Sequence, residues 1–230
     1  MQNISTSLIK STLPFVLAVF ISACASTQKE LPKVSHDGLD LVEGTKLGAV
    51  YKKPGADLSQ YDRVAILDCT VAFRKNWQRD QNADRMGLQR GVSKEDMDRM
   101  KKNLSDEFNK VFSKELQKGG YKIVDKGAED VLLLRPAIIN LDVAAPDTMS
   151  PGMTRTFTAS AGEMTLYMEL YDSATSAILA RVVDEKAGRD HGGMQISNRV
   201  TNVAEADRIL RKWADILRQK LDEAHGKSAI

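Results

Sequence analysis

The sequence predicts an α+β fold, a mostly antiparallel sheet with two amphipathic helices packed on one face. Three observations predict it. Residues 164–184 carry a clean apolar/polar alternation, a turn and a returning apolar segment. Two other segments, beginning near Ser93 and Asn202, repeat apolar residues at helical spacing. The order is strand, helix, short strand, long strand, hairpin, helix, and helices laid on a sheet bury all of these stripes.

The first strand runs from Arg63 to Phe73, and Val64 to Leu67 is apolar on both faces, which suggests a central position. Arg74 to Gly91 is polar and reads as a long loop with some helical character, Trp77 being its main large apolar residue. Ser93 with Asp96 forms a variant capping box, and Glu95 and Asp96 suit the positive end of a helix dipole. Met97, Met100, Leu104, Phe108, Val111 and Phe112 then form one stripe. Gly119-Gly120 ends that helix, because glycine accepts the left-handed cap conformation.

Tyr121 to Val124 reads as a short strand. Val131 to Val143 reads as a longer one, broken or bulged at Pro136, which cannot donate to a ladder. In the hairpin, Met164, Leu166, Met168 and Leu170 share one face, and Thr165, Tyr167, Glu169 and Tyr171 the other. Asp172 to Ser176 makes the turn, and residues 186–199 read as loop. The last helix presents Val203, Ala206, Ile209, Leu210, Trp213, Ile216, Leu217 and Leu221.

The N-terminus reads as an address. Residues 1–23 hold one charged side chain, Lys10, followed by the apolar run Leu13 to Ile21. That is the length of a signal-peptide core and shorter than the roughly 20 residues a membrane span requires. Ile21-Ser22-Ala23-Cys24 resembles the lipobox of bacterial lipoproteins. The resemblance implies cleavage before Cys24, diacylglycerol on its thiol and acylation, often palmitate, of the new amine. Several chains at about 0.8 kcal/mol per buried methylene anchor far more firmly than one. Ordinary secretion with a free Cys24 thiol is the alternative. No aspartate follows Cys24, so the resemblance favours the outer membrane, facing the periplasm.

Composition narrows the function classes. Without residues 1–23 the chain loses one of its 33 Lys and Arg and none of its 31 Asp and Glu, leaving 32 against 31. Such balance argues against a nucleic-acid partner. With Cys24 lipidated, Cys69 has no partner in the chain, and its apolar neighbours mark it as a buried small hydrophobe. Residues 24–50 mix Pro, Gly, Ser, Lys and Glu and read as a lipidated tether, spanning roughly 28 Å as a coil. Residues 51–225 then form the single folded domain, and residues 226–230 a tail.

Three segments carry a further resemblance. Residues 51–61, from Tyr51-Lys52-Lys53-Pro54-Gly55 to Tyr61, look like the opening of a bacterial lipoprotein family known as domain of unknown function 3313. Val131 to Leu141 is similar to its middle strand segment, and Leu166 to Ser173 followed by Leu179-Ala180-Arg181 to its hairpin. The resemblance implies a periplasm-facing lipoprotein and carries over no reaction and no catalytic residue.

A search for chemistry gives little. His36 and His225 fall in the expected tether and at the end of the domain, and His191 with Asp190 precedes two glycines in a loop. No zinc-binding or nucleophile-elbow pattern appears, and no phosphate-cradling glycine loop. Asp184 and Glu185 point to opposite faces of a strand, a poor start for two-carboxylate catalysis. Thr156 to Gly162 is rich in hydroxyls, as an exposed strand edge also is. The candidate interaction surface is Arg74 to Lys102, with nine Lys or Arg against five Asp or Glu. Trp77 and Arg79 are its candidate partner contacts, against the alternative that Trp77 packs on the sheet.

The expectation is a lipid-anchored envelope protein without catalysis, cofactor or metal. It would bind an envelope protein or wall component. The alternative is an envelope hydrolase or ligand carrier with a scattered site. Cys24→Ser is expected to move the protein from the membrane to the soluble fraction, and retention with membranes would overturn the lipid assignment.

Overall fold

The computed structural model describes residues 30–83, 91–143, 156–158, 162–187, 195–197 and 199–227 of the 230-residue chain. The expected signal peptide, residues 1–23, and Cys24 lie outside them. The described part is α+β, with a mixed, mostly antiparallel sheet and three helices. The strands are β1 (Asp40–Leu41), β2 (Ala49–Lys52), β3 (Arg63–Ile66), β4 (Thr70–Phe73), β5 (Lys122–Ile123), β6 (Val131–Asp142), β7 (Thr156–Thr158), β8 (Glu163–Asp172), β9 (Ile178–Ala187) and β10 (Gln195–Ser197). The helices are α1 (Trp77–Ala83), α2 (Lys94–Lys118) and α3 (Arg199–Ala224).

The main sheet has the order β1-β2-β9-β8-β6-β3-β5, with β4 also paired to β6. β1–β2, β2–β9, β9–β8 and β8–β6 are antiparallel; β3 and β4 run parallel to β6, and β5 parallel to β3. β7 and β10 pair separately. The expected strand from Arg63 to Phe73 is therefore two strands side by side with one partner. Arg63–Ile66 pairs with Val131–Leu134, and Thr70–Phe73 pairs with Ala137–Leu141.

This division explains Pro136. The proline stays in register opposite Met168 of β8, and no bulge occurs there. Backbone groups alternate sides along a strand, and Leu134 offers its carbonyl toward the β3 side, to the Leu67 N–H at 3.0 Å. The absent N–H of Pro136 thus falls on that same side, in the gap between β3 and β4. The irregularity expected at Pro136 lies instead between Ile139 and Asp142, where Asn140 takes φ 53°.

Ser93 caps α2 as its sequence predicts. Its hydroxyl accepts from the Asp96 N–H at 3.1 Å, and the Asp96 carboxylate accepts from the Ser93 N–H at 3.0 Å. Phe108, Val111, Phe112 and Leu116 of α2 share one core with Ile209, Leu210, Trp213 and Leu217 of α3 and with Leu132, Leu134, Ile138, Met164, Leu166, Met168 and Leu170 of the sheet. Cys69 lies in this core, where burial pushes its thiol up to about 12, so it is an inert small hydrophobe. The Asp184 carboxylate of β9, 2% exposed, accepts from the Trp213 Nε1–H at 2.7 Å, the Gly48 N–H at 2.7 Å and Lys186 Nζ at 2.8 Å.

Most of the expected tether is folded. Leu39 is 1% exposed and forms a second small core with Ala49 and Tyr51. Lys33, Ser35 and Pro32 make backbone or side-chain hydrogen bonds to Leu41, Leu39 and Tyr51. Asp37 takes two hydrogen bonds from Arg181 of β9, at 3.0 and 2.5 Å. Residues 31–42 are thus a strap on the sheet, because the buried Leu39 and the ion pair outweigh the entropy of a loose chain.

The Arg181 guanidinium, then the Ser35 hydroxyl, hold the Asp37 carboxyl well below its usual range. A depressed carboxyl stabilises fully above its ordinary pKa, and that contribution is lost as pH falls through the folded value. Asp37→Asn is expected to speed hydrogen exchange, corrected for intrinsic rates, at the Ser35, Leu39 and Leu41 amides at neutral pH. The unmodified strap should loosen only in strong acid. Equal protection in both proteins at neutral pH would refute the role of this pair.

Candidate functional site

The N-terminal halves of α2 and α3 leave a cleft of about 440 Å³ between them. Its floor is the end of β6, Leu141 to Val143, and the start of β8, Gly162 to Met164. Met100, Leu104, Leu141, Met164, Ala206 and Ile209 supply its apolar wall. The cleft has a simple steric cause. Further along, Phe108 and Phe112 stack at 3.9 Å and fill the space toward α3, whereas Val203 and Ala206 are too small to close on Met100 and Leu104. Gly162 shapes the floor: it has φ 127°, and a Cβ there would sit 2.4 Å from the Asp142 carbonyl oxygen.

The lip is charged, and apart from Glu163 its charges are turned to neighbours. Arg99 pairs with Asp96 at 2.8 Å, Lys110 with Glu107 at 2.9 Å, Lys102 with Asp106 at 2.7 Å and Arg208 with Glu205 at 2.8 Å. Arg74 holds Asp142 at 2.5 Å and reaches Asp80 at 2.7 Å. The lining has no histidine, cysteine, serine or tyrosine among the described residues. Such a surface can enclose an apolar group; it does not aim a nucleophile or a free carboxylate pair at one.

A second polar assembly lies on the opposite side of β8. Glu169, 7% exposed, accepts from Tyr171 Oη at 2.8 Å, Tyr167 Oη at 2.9 Å and Arg181 Nε at 3.1 Å. Arg135 stands 3.6 Å away. Burial pushes the Glu169 carboxyl up, but the two tyrosines and Arg181 outweigh it and hold it below its usual value. Arg181 spans from Glu169 to Asp37, so this cluster serves to seat the strap.

The candidate partner contacts fare differently. Trp77 opens α1 rather than a loop; it is 1% exposed and stacks on Phe73 at 4.1 Å. Its alternative, packing down beside the sheet, is what the structure shows. Arg79 is exposed and touches Asp80 at 3.0 Å. α1 is held by Gln78 and Asn82, whose amide groups donate to the Val92 carbonyl at 2.8 and 3.2 Å, and the Asn82 side-chain oxygen accepts from the Val92 N–H at 2.6 Å.

His225 belongs to the fold: its Nδ1 lies 2.8 Å from the Leu221 carbonyl, and its ring meets Tyr121 edge-on. His36 lies in the strap. Cys24, Asp190 and His191 lie outside the described residues, as does part of the hydroxyl-rich segment Thr156 to Gly162. Asp184 and Glu185 do point apart, and Asp184 is consumed by structural hydrogen bonds. No cluster of His, Cys, Asp and Glu that could hold a metal occurs among the described residues. The cleft was not foreseen, although its signal was present: the α2 stripe continues through Met97, Met100 and Leu104 opposite the small residues that begin the α3 stripe.

The family model DUF3313, described as a protein of unknown function, matches residues 33–217. No curated protein matches the chain. Solved structures with similarity include a PelC dodecamer from Paraburkholderia phytofirmans at 12% identity, with 72% of this chain and 94% of that chain covered and a TM-score of 0.38. A Xanthomonas campestris protein of family-model DUF330 shares 9% identity over 75% of this chain and 90% of that one, TM-score 0.40. A minor lipoprotein from Acinetobacter baumannii shares 6% over 71% and 94%, TM-score 0.34.

Trp77→Ala is expected to cost about 3–5 kcal/mol of stability, as a buried aromatic does, and Arg79→Ala less than about 0.5 kcal/mol. Denaturant unfolding measures both. A Trp77 variant as stable as the parent would show that the ring is not part of the packing.

Proposed function

We propose a binding role in the cell envelope for this chain, which belongs to the DUF3313 family of proteins of unknown function. Residues 1–23 direct export, Cys24 carries the lipid, and the domain stands on the periplasmic side of the outer membrane. The lipobox at Ile21 to Cys24 and the missing aspartate after it support this placement. In this reading α2 and α3 cover one face of the sheet and present the cleft at their open end.

The observation that carries the binding role is the apolar cleft itself. Its volume of about 440 Å³ suits a ligand group of a few tens of heavy atoms at most, lying at the small end of common ligand pockets. Apart from Glu163, the lip charges are paired within the protein and add little net field, so apolar contact supplies the affinity. The partner is an envelope protein or wall component that presents an apolar side chain or acyl group. A carrier for a free apolar envelope ligand is the second reading, supported by the same enclosed space. No step of catalysis is assigned.

The test uses an apolar fluorescent probe, N-phenyl-1-naphthylamine, and the variant Ala206→Trp, which fills the cleft from its α3 wall. The parent is expected to bind the probe, and the variant to bind it at least tenfold more weakly, about 1.4 kcal/mol. A parent that does not bind, or a variant that binds equally, would overturn the assignment of the cleft.

A further inference from the structure

The β1 edge of the sheet and the strap on it carry most of the exposed large apolar side chains of the described residues. Among the described residues, five large hydrophobics are exposed: Leu31 at 46%, Val34 at 55%, Val42 at 38%, Leu67 at 44% and Val203 at 56%. Three of the five fall within the strap and the residue just after β1. Register brings two of these onto one ribbon. Val34 bridges to Asp40, Asp40 pairs with Lys52, and the Val42 N–H donates to the Val50 carbonyl at 2.8 Å. Partners across an antiparallel pair share a face, so Val34, Asp40, Val42 and Lys52 lie on one side of this edge. Leu41 and Tyr51 alternate to the other side and are drawn into the small core around Leu39.

Chain length links this edge to the lipid. Cys24 and Leu31 are seven residues apart. Seven residues span at most about 25 Å when extended, and roughly 15 Å as a coil. A flexible tether of residues 24–50 would let the domain tumble at a distance. With the strap fastened by Leu39 and by Asp37 on Arg181, at most the seven residues from Cys24 to Leu31 separate a lipid on Cys24 from the folded domain, which keeps the two within about 25 Å. The surface that meets the headgroups first is the one where the chain leaves the fold. Lys33, Lys52 and Lys53 are exposed there and have long stems that let the amine reach phosphate while the stem stays in apolar surroundings.

We propose that this edge, with Leu31, Val34 and Val42 as its apolar contacts, rests on the lipid bilayer that holds the anchor. The binding surface is a bilayer interface. The acids Glu30, Asp40 and Glu43 balance the nearby lysines, so apolar contact and the tether's length, rather than attraction to anionic lipid, seat it. The domain then faces the bilayer with β1 and β2.

The inference rests on lipidation of Cys24, and the experiment reads the two separately. Full-length lipoprotein is placed in vesicles of phosphatidylethanolamine and phosphatidylglycerol containing brominated chains. Tryptophans are introduced one at a time as Val34→Trp, Val42→Trp and, as a control, Val203→Trp, with the buried Trp77 and Trp213 kept and the parent's emission subtracted. The mass of the N-terminal peptide reports whether the acyl chains are attached. With the chains attached, emission at positions 34 and 42 is expected to be quenched about threefold more than at 203, because interfacial apolar groups sit about 5–10 Å into the headgroup and acyl boundary. Equal quenching at all three positions, with lipid attached, would overturn the orientation while leaving lipidation intact. Absence of acyl mass would overturn the lipid reading itself. Crosslinking between copies through Val34→Cys without quenching would assign the edge to a second copy of the chain and overturn the bilayer contact.

Discussion

One buried carboxylate organises this molecule. Asp184 has no solvent to hydrate it, and a buried charge is tolerated only when its hydrogen-bonding capacity is met. It is met by three groups, two of them far away in sequence: the indole of Trp213 on α3, the backbone N–H of Gly48 at the entry to β2, and the amine of Lys186 on its own strand. The last helix and the N-terminal strands are therefore positioned against β9 together. Gly48 suits this meeting, since a Cβ there would come within 3.1 Å of the Val183 carbonyl oxygen. Glu115 adds a second tie further along, engaging Arg218 at 3.1 Å so that α2 and α3 are joined where their side chains are largest.

The cleft and the strap are consequences of that arrangement. α2 and α3 pack closely where Phe108, Phe112 and Leu116 meet Trp213, Leu217 and Leu221, and they diverge in side-chain volume toward their N-termini. The helices are long because their stripes and caps specify it. The open space at one end follows from Val203 and Ala206 standing opposite Met100 and Leu104. On the other side of the sheet, Glu169 and Arg181 would be costly buried charges alone. With Tyr167, Tyr171 and Asp37 they form a satisfied network, and satisfying it requires the N-terminal strap to lie down.

The parts of this protein are unequally legible in its sequence. The capping box at Ser93, the hairpin faces and the buried Cys69 could be read because each depends on neighbours within a few residues or on composition. Trp77 could not be placed: a lone tryptophan among polar residues fits an exposed anchor or a buried one equally, and stacking on Phe73 decides it. The strap read as a tether because its composition is loop-like; its order depends on Asp37 meeting Arg181, 144 residues away. The cleft was invisible because an empty volume is set by which residues face each other, not by which residues are present.

The amino-acid sequence by itself determined the family resemblance, the α+β class, the two long helices and the central hairpin, all through local periodicity and short motifs. Only the tertiary structure decided that Arg63 to Phe73 is two strands. It also showed that Pro136 sits opposite their gap, that the chain is fastened from about Leu31 onward, and that small residues of α3 opposite Met100 and Leu104 leave a cleft. The physical reason is the same each time. Periodicity records which face of an element is apolar, whereas register, ion pairing across the chain and the filling of space depend on partners far away in sequence.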